Sequence, residues 1–507
     1  MPRGSAAEAP PGAEKFTFVL NSVDLQGATA YPAGELQTFY TALVGKTVTV
    51  ADMFKVASEI ELKYRSAGYV TSRVIVPAQT IEGGIFRIQV VEGFVSEVVF
   101  ADDIGPARAA VEMLLAPLRN VVPISLHDIE RQLLLADDIS GLTVRGSLEA
   151  SPKEVGGSVI VVKLERKPFN VSATYDNRSS PFIGPQELLQ SVTWNAFGSH
   201  GDQITLTAKQ SLPFKRQWLI LGNYQGVFTS GGLTLGLTSS FSHSKPGDIL
   251  NPLLVTSKVA ANTATTTYPI IRSRLENLRA VGEFEYRDVS TDEATVKPFN
   301  RDRLRILRGG FSYDRTDGWD GITALRAMMH QGLPIMGATH SGTAVASRPG
   351  ADGVYTKYTL SATRIQQLPK DFSILATTTA QWSKHPLLAS EQIALGGSNF
   401  GRAFDEGEIA GDKGWAGLVE LRYSPPVPDF LAKGLQFYAF ADTGQVFNTN
   451  PAAPLANHTV VSFGGGVRAN LHEYVFTTLE FAQAVHPIVA SQRGKPMRVF
   501  FNLTVHY

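Results

Sequence analysis

The sequence predicts two small α+β units followed by a closed antiparallel β-barrel of about sixteen strands set in a membrane. Three observations carry that prediction. From Phe169 onward the chain alternates apolar and polar residues in segments of about ten to fourteen, parted by polar or Gly/Pro turns, as a barrel wall between lipid and a wet lumen requires. Charged residues make up only 18% of the chain, below the ~25% of soluble domains. No tract approaches the ~18 consecutive apolar residues of a membrane helix, and only helices and closed barrels satisfy the backbone in lipid.

A chain of 507 residues is too long for one compact core, so two or three units are expected. Lys and Arg total 46 and so do Asp and Glu, which leaves no net field to draw nucleic acid or an acidic surface. Cysteine is absent. That excludes disulfides, Cys-zinc sites and a thiol nucleophile.

The arm comes first. Phe16–Leu20 and Val23–Leu25 read as a short strand broken by a turn. Thr49 and Asp52 then open a helix as a capping box. Met53, Val56, Ile60 and Tyr64 share one face at helical spacing, and Gly68 stops it. Arg73–Val76 and Ile85–Val91 read as strands around a loop with Pro77 and Gly83-Gly84. A second unit follows: a strand at Val95–Phe100, a helix from near Pro106 to Leu118, and a helix capped by Ser125 and Asp128 with Ile129, Leu133 and Ala136 along one side. Strands at Gly141–Leu148 and Gly157–Leu164 close it. The boundaries are a flexible segment 1–15, units 16–93 and 94–167, and a barrel 168–507.

Tyr64-Arg-Ser-Ala-Gly68-Tyr69, Val76-Pro77-Ala-Gln79 with Gly83, and Val90-Val-Glu92-Gly93 resemble the first polypeptide-transport-associated (POTRA) domain of two-partner secretion transporters. Those outer-membrane proteins export haemolysins and filamentous adhesins. Arg131–Leu135 through Asp138–Gly141 resembles the second such domain. The resemblance implies a periplasmic arm that receives an unfolded client, partly by adding the client's backbone to a strand edge. On this reading Tyr64, Gly68, Tyr69, Pro77, Gln79, Gly83, Glu92 and Gly93 form the client-docking region. Such a protein needs a signal peptide, and residues 1–12 have no apolar core for one; the signal peptide is expected to be missing from this chain. The family's plug helix is either missing from the chain or absent from the protein.

In the barrel, Phe169, Val171, Ala173 and Tyr175 oppose Asn170, Ser172, Thr174 and Asp176. Leu278, Ala280, Gly282, Phe284 and Tyr286 oppose Arg279, Glu283, Glu285 and Arg287. Val499, Phe501, Leu503, Val505 and Tyr507 alternate to the chain's end, and a terminal aromatic suits the membrane interface. Leu254–Tyr268, rich in Ala and Thr, is the weakest strand pattern. The long loops fall around 245–253, 333–353, 386–411 and 448–457.

Asp176-Asn177 with Gly184, Asn195–Gly198 with Gly201-Asp202, and Tyr268–Arg274 are similar to the two-partner transporter barrel in order and spacing. Gly396, Gly397, Gly401, Arg402 and Phe404 resemble its inward-folded loop, placed around 395–411. Phe440, Asp442 and Gly444 resemble the wall strand that the loop contacts. The resemblance covers residues 16–507. Ala403 departs from it, standing where the family usually has Gly; it strains the tip if φ there is positive and is harmless otherwise. Strand parity turns Asp442 inward with Gln436, Tyr438 and Phe440. Arginine forks onto carboxylates, and the resemblance implies that Arg402 reaches Asp442 rather than sitting in a solvated loop. It also makes Tyr507 an assembly signal.

No catalytic residue, metal or cofactor is expected. The ten histidines are dispersed, without His-x-x-x-His spacing. Ser199-His200 and Ser242-His243 lack a Gly-x-Ser-x-Gly elbow, and Gly396-Gly397 lacks a phosphate-loop Lys. Gly464–Gly466 reads as thinning of the lumen face. The expected protein is a monomeric, ATP-independent outer-membrane translocase for a large β-rich, haemolysin- or adhesin-like client. Its other partners would be membrane lipids and the barrel assembly machinery, not nucleic acid. The alternatives are a barrel assembly factor, which typically has more docking domains, or a passive porin, which needs no arm.

Overall fold

The computed structural model describes residues 9–103, 105–212, 214–428, 433–449, 457–485 and 497–507. Residues 1–8 of the segment predicted to be flexible, and 450–456 of the 448–457 loop, lie outside the described residues. Two compact units meet in the chain between Arg166 and Lys167.

The first unit opens with a 3-10 turn, Ala13–Lys15, whose Ala13 is buried, so that end of the predicted flexible segment is packed. Then come β1 (Thr17–Val19), β2 (Ser22–Gln26), α1 (Ala33–Gln37), β3 (Thr47–Thr49), α2 (Val50–Ser66), β4 (Arg73–Ile75) and β5 (Ile85–Val91). α2 starts where Thr49 and Asp52 cap each other. The Asp52 N–H donates to Thr49 Oγ1 at 3.1 Å and the Asp52 carboxylate accepts from the Thr49 N–H at 2.8 Å, which satisfies two of the helix's free donors. Met53, Val56, Ile60 and Tyr64 are buried against Phe86, Ile88 and Val90. Gly68, at φ +94°, ends the helix. The sheet order is β2-β5-β4, parallel then antiparallel, and β1 pairs with β3. The short α1 and β3 have no counterpart in the sequence reading, because a few residues do not show a period.

The second half of the unit has β6 (Phe94–Phe100), α3 (Arg108–Leu115), α4 (Leu126–Asp137), β7 (Leu142–Ala150) and β8 (Gly157–Arg166), with sheet order β6-β8-β7. Ser125 and Asp128 cap α4 as expected. Ile129, Leu135 and Ala136 are its buried residues, with Leu135 in the place expected for Leu133.

The second unit is one closed antiparallel barrel of sixteen strands. The first eight are β9 (Phe169–Asp176), β10 (Gln186–Trp194), β11 (Gln203–Leu212), β12 (Gln217–Val227), β13 (Thr234–Ser244), β14 (Thr256–Arg272), β15 (Glu276–Asp292) and β16 (Asn300–Thr316). β17 (Gly321–Gly332), β18 (Thr356–Gln367) and β19 (Phe372–Ser383) follow. After two short strands taken up below, the wall resumes with β22 (Lys413–Tyr423), β23 (Gly434–Phe447), β24 (Asn457–His472), β25 (Val475–Ala484) and β26 (Met497–His506). β26 pairs with β9 and closes the ring. The Ala/Thr-rich segment is the full-length strand β14, with a register shift between Pro269 and Ile271, where proline has no N–H to give the ladder.

Polarity follows the pleat. Phe437, Phe463, Phe481 and Phe501 point outward and are exposed, while the inward Arg279 and Glu283 pair with Asp314 and Arg326. Connections at the rim where β9 begins are short, such as 273–275, 317–320 and 368–371; the opposite rim carries 245–255, 333–355 and 384–412. Outer-membrane barrels keep short turns on the periplasmic side.

Candidate functional site

The 384–412 connection does not stay at the rim. Within it β20 (Ile393–Leu395) and β21 (Ile409–Gly411) pair as a hairpin. Leu395, Ala403, Phe404 and Ile409 are buried against Leu418, Tyr438, Phe440, Val460, Ala482 and Phe500. Those wall residues point inward from β22 to β26, so the hairpin lies inside the barrel. Its tip turns through Gly396, Gly397 and Gly401, at φ +115°, +97° and +71°. A Cβ at Gly396 would stand 2.0 Å from the Asp405 carbonyl oxygen, so only glycine fits. Ala403 is fully buried and is not among the positive-φ residues; it is unstrained.

Arg402 is buried at the tip. Its guanidinium donates to Glu420 Oε2 at 2.8 Å and to Glu480 Oε2 at 3.3 Å, over the Phe440 ring with 4.6 Å to the centroid. The expected Arg402–Asp442 fork is therefore not the contact made. Asp442 instead accepts the backbone N–H groups of Gly401 (2.9 Å) and Arg402 (3.2 Å) and the Ser462 hydroxyl (2.6 Å). The shorter carboxylate is filled by the turn's own backbone, and the longer glutamates on β22 and β25 take the guanidinium. Gly444 makes room for the stem, since a Cβ there would lie 2.6 Å from Leu395 Cδ1. Gly464 and Gly466 thin the wall as expected, because a Cβ would meet the Phe440 ring at 2.8 Å or the Tyr438 hydroxyl at 2.7 Å.

Sequence reasoning missed the two glutamates. Glu420 also accepts from Arg422 (2.6 Å) and Arg468 (2.7 Å). Glu480 accepts from Arg178 (2.7 Å) and the Tyr438 hydroxyl (2.7 Å). The available signal was parity: Glu420 alternates with Ala416 and Leu418, and Glu480 with Ala482, as single acids on inward faces. Asp405 of the tip pairs with Arg498 at 2.6 Å. At the hairpin's base, Asp412 accepts from Arg348 (2.6 Å) and from the N–H groups of Leu387 (2.9 Å) and Thr449 (2.8 Å). Glu391 pairs with Lys357 at 2.7 Å and Arg287 at 3.0 Å. Tip and base are both fastened by reversible polar contacts.

In the arm, the eight motif residues separate into three roles. Tyr64 and Glu92 are buried and tie the 27–31 loop to the sheet. Glu92 accepts from the N–H groups of Thr29 (2.7 Å) and Ala30 (2.8 Å), from the Tyr64 hydroxyl (2.8 Å) and from the Thr29 hydroxyl. Burial works against its charge, but these donors outweigh burial and hold the carboxyl below the usual range. Burial, and then the bond to Glu92, push the Tyr64 phenol up. Tyr69 packs on Tyr64 at 5.8 Å between ring centroids.

Gly68 and Gly93 join the arm's two halves: their carbonyls accept the N–H groups of Leu126 (2.9 Å) and Ile124 (2.8 Å). The third role is at the sheet edge. Ile75 pairs with Gln89, so the next rung would set Pro77 against Arg87, and proline has no N–H. Gln79 fills that rung, its amide donating to the Arg87 carbonyl (2.9 Å) and accepting the Arg87 N–H (2.8 Å). The Asn21 amide donates to the Gly83 carbonyl at 2.9 Å. Tyr64 and Glu92 thus lie beneath the surface they were expected to form. At the other end of the chain, Tyr507 is exposed and exchanges backbone bonds with Val171 across the barrel seam, at 2.8 and 3.0 Å.

Residues 156–469 match the family model described as haemolysin secretion/activation protein ShlB/FhaC/HecB. Residues 18–93 match the ShlB-type POTRA domain. The heme/hemopexin transporter protein HuxB of Haemophilus influenzae (strain 86-028NP) is 23% identical over 412 residues, covering 81% of this chain and 72% of that protein. The outer membrane transporter CdiB of Dickeya dadantii is 24% identical over 391 residues, covering 76% and 68%. The solved structure of CdiB from Escherichia coli superposes with a TM-score of 0.82 at 18% identity, over 100% of this chain and 93% of that one, a likeness of fold.

Proposed function

The chain belongs to the haemolysin secretion/activation protein family, and from that premise we propose that it passes a large β-rich secreted partner protein across the outer membrane through its own barrel. One observation carries the reading: a hairpin of the same chain occupies the lumen of a closed sixteen-strand ring. Barrels of 16–18 strands are wide enough for an aqueous channel, so withdrawal of the hairpin opens a passage. When the tip leaves, Glu420 keeps Arg422 and Arg468 and Glu480 keeps Arg178, so neither glutamate that holds the Arg402 guanidinium is left bare in the wall.

The arm meets the client in the periplasm. Within its first sheet β2 is an edge strand to which an extended client segment adds by backbone pairing, whereas Gln79 closes the edge of β5. Export draws on folding of the client outside the cell, not on ATP. One chain closes the ring, so the working unit is a monomer. Tyr507, at the seam, serves recognition by the assembly machinery.

The test is deletion of the gene in its source organism, with culture supernatant and outer-membrane proteins compared with the parent. Loss of one large secreted protein supports the proposal and identifies the client. A general fall in barrel proteins replaces it with an assembly role. An unchanged secretome with altered small-solute uptake replaces it with a porin.

A further inference from the structure

On the outward face of β12–β16, at the rim with the long loops, two adjacent rows of side chains run across the strands. One row is Trp218, His243, Lys258, Ser290 and Arg301; the next toward the membrane is Ile220, Phe241, Ala260, Asp288 and Arg303. All of them except Ile220 line a groove of about 460 Å³. The apolar part lies on β12 and β13: Ile220, Phe241 and Trp218 are 55%, 51% and 42% exposed, and the Trp218 ring stacks on His243 with centroids 6.0 Å apart.

The cations lie on β14 and β16, Lys258 and Arg301 in the row of Trp218 and Arg303 in the row of Phe241. Lys258, Arg301 and Arg303 are exposed, and among the described residues none of them forms an ion pair. The one acid in these rows does not cancel them, because Asp288 is paired with Arg305 at 2.9 Å. Arg305 is buried over the Tyr286 ring. Asp292 stands on the same face one step further from the membrane. Strands lie about 4.8 Å apart, so Lys258 and Arg301, two strands apart, span on the order of 10 Å. A surface tryptophan marks the level where acyl chains meet headgroups. Cations at that level without an ion-pair partner are placed to meet the anionic headgroups of the membrane.

We propose that this groove binds the phosphate-bearing headgroup of a lipid in the extracellular leaflet, with Lys258, Arg301 and Arg303 on the phosphates and the acyl chains along Phe241 and Ile220. The site is independent of the lumen and of export.

The test uses the full chain in phosphatidylcholine nanodiscs doped with bis-phosphorylated lipid A, and reads bound lipid by native mass spectrometry. The comparison is the triple variant Lys258→Gln/Arg301→Gln/Arg303→Gln. Each cation near an anionic headgroup is worth roughly fivefold, so the triple variant is expected to lose on the order of a hundredfold in affinity. Arg315→Gln, an outward cation at the opposite rim, is expected to leave binding unchanged. Heat-modifiable mobility on gels verifies that each variant is folded. Equal lipid retention by the triple variant overturns the proposal. So does equal binding of lipid A stripped of its phosphates, or full displacement by millimolar inorganic phosphate, which would make this a free-anion site.

Discussion

Replacing Arg402 with alanine should loosen the lumen hairpin without unfolding the barrel. Removing one partner of a buried pair usually destabilises by ~3–5 kcal/mol because the other is left bare. Here neither acid is left bare. Glu420 keeps Arg422 and Arg468, and Glu480 keeps Arg178 and the Tyr438 hydroxyl. What disappears is one charged hydrogen bond at 2.8 Å, a longer one at 3.3 Å and the guanidinium–Phe440 contact. A charged hydrogen bond contributes ~1.5–3 kcal/mol, and part of that returns as water enters. A net loss of about 2–3 kcal/mol lowers the docked-to-undocked ratio by roughly 30- to 150-fold. The assay is single-channel recording in planar bilayers, where the variant's open fraction should rise by that factor until it saturates. Arg402→Lys, which keeps the charge but not the planar guanidinium that lies over Phe440, should fall between. An unchanged open fraction in a correctly folded alanine variant would refute the reasoning.

Three further outcomes follow from the same geometry. Glu92→Gln should destabilise the arm by roughly 1.5–3 kcal/mol near neutral pH, read by chemical denaturation. Glu92's folded pKa is depressed, so its contribution is present above the unfolded value of about 4.3 and is lost as pH falls through the folded one; wild type and variant should converge only below that folded value. Gly464→Leu forces side-chain atoms toward the Phe440 ring and the Phe481 carbonyl, and such overpacking typically amounts to ~1–3 kcal/mol; a raised open probability is the expected readout, and wild-type conductance would contradict it. Gln79→Ala leaves the Arg87 N–H and carbonyl open on the β5 edge. Amide exchange at Arg87 should quicken by about an order of magnitude, and unchanged protection would show that the Gln79 amide does not close that edge.

Much of this was legible in the sequence because it is local. Both capping boxes, the stop at Gly68 and the outward aromatic parity depend on neighbours a few residues apart. The thinning at Gly464–Gly466 was legible because glycine in a strand pattern has few other meanings. The partner of Arg402 was not. Glu420 and Glu480 share the inward face with Arg279, Glu283, Arg287 and other wet-lumen charges, and nothing in parity says how deep the hairpin reaches. Glu92 was misplaced for a related reason: its donors at Thr29 and Ala30 lie more than sixty residues away in sequence, so a buried carboxylate resembled an exposed one.

The central claim is that the hairpin must leave its seat for export. The chain has no cysteine, so an introduced pair is unique. Asp405→Cys on the tip and Arg498→Cys on the wall replace an ion pair of 2.6 Å and lie within reach of a short cross-linker cleavable by reductant. The account predicts that export stops when the pair is bridged and returns when the bridge is cleaved. Export that continues at full rate through a completely cross-linked barrel would contradict it.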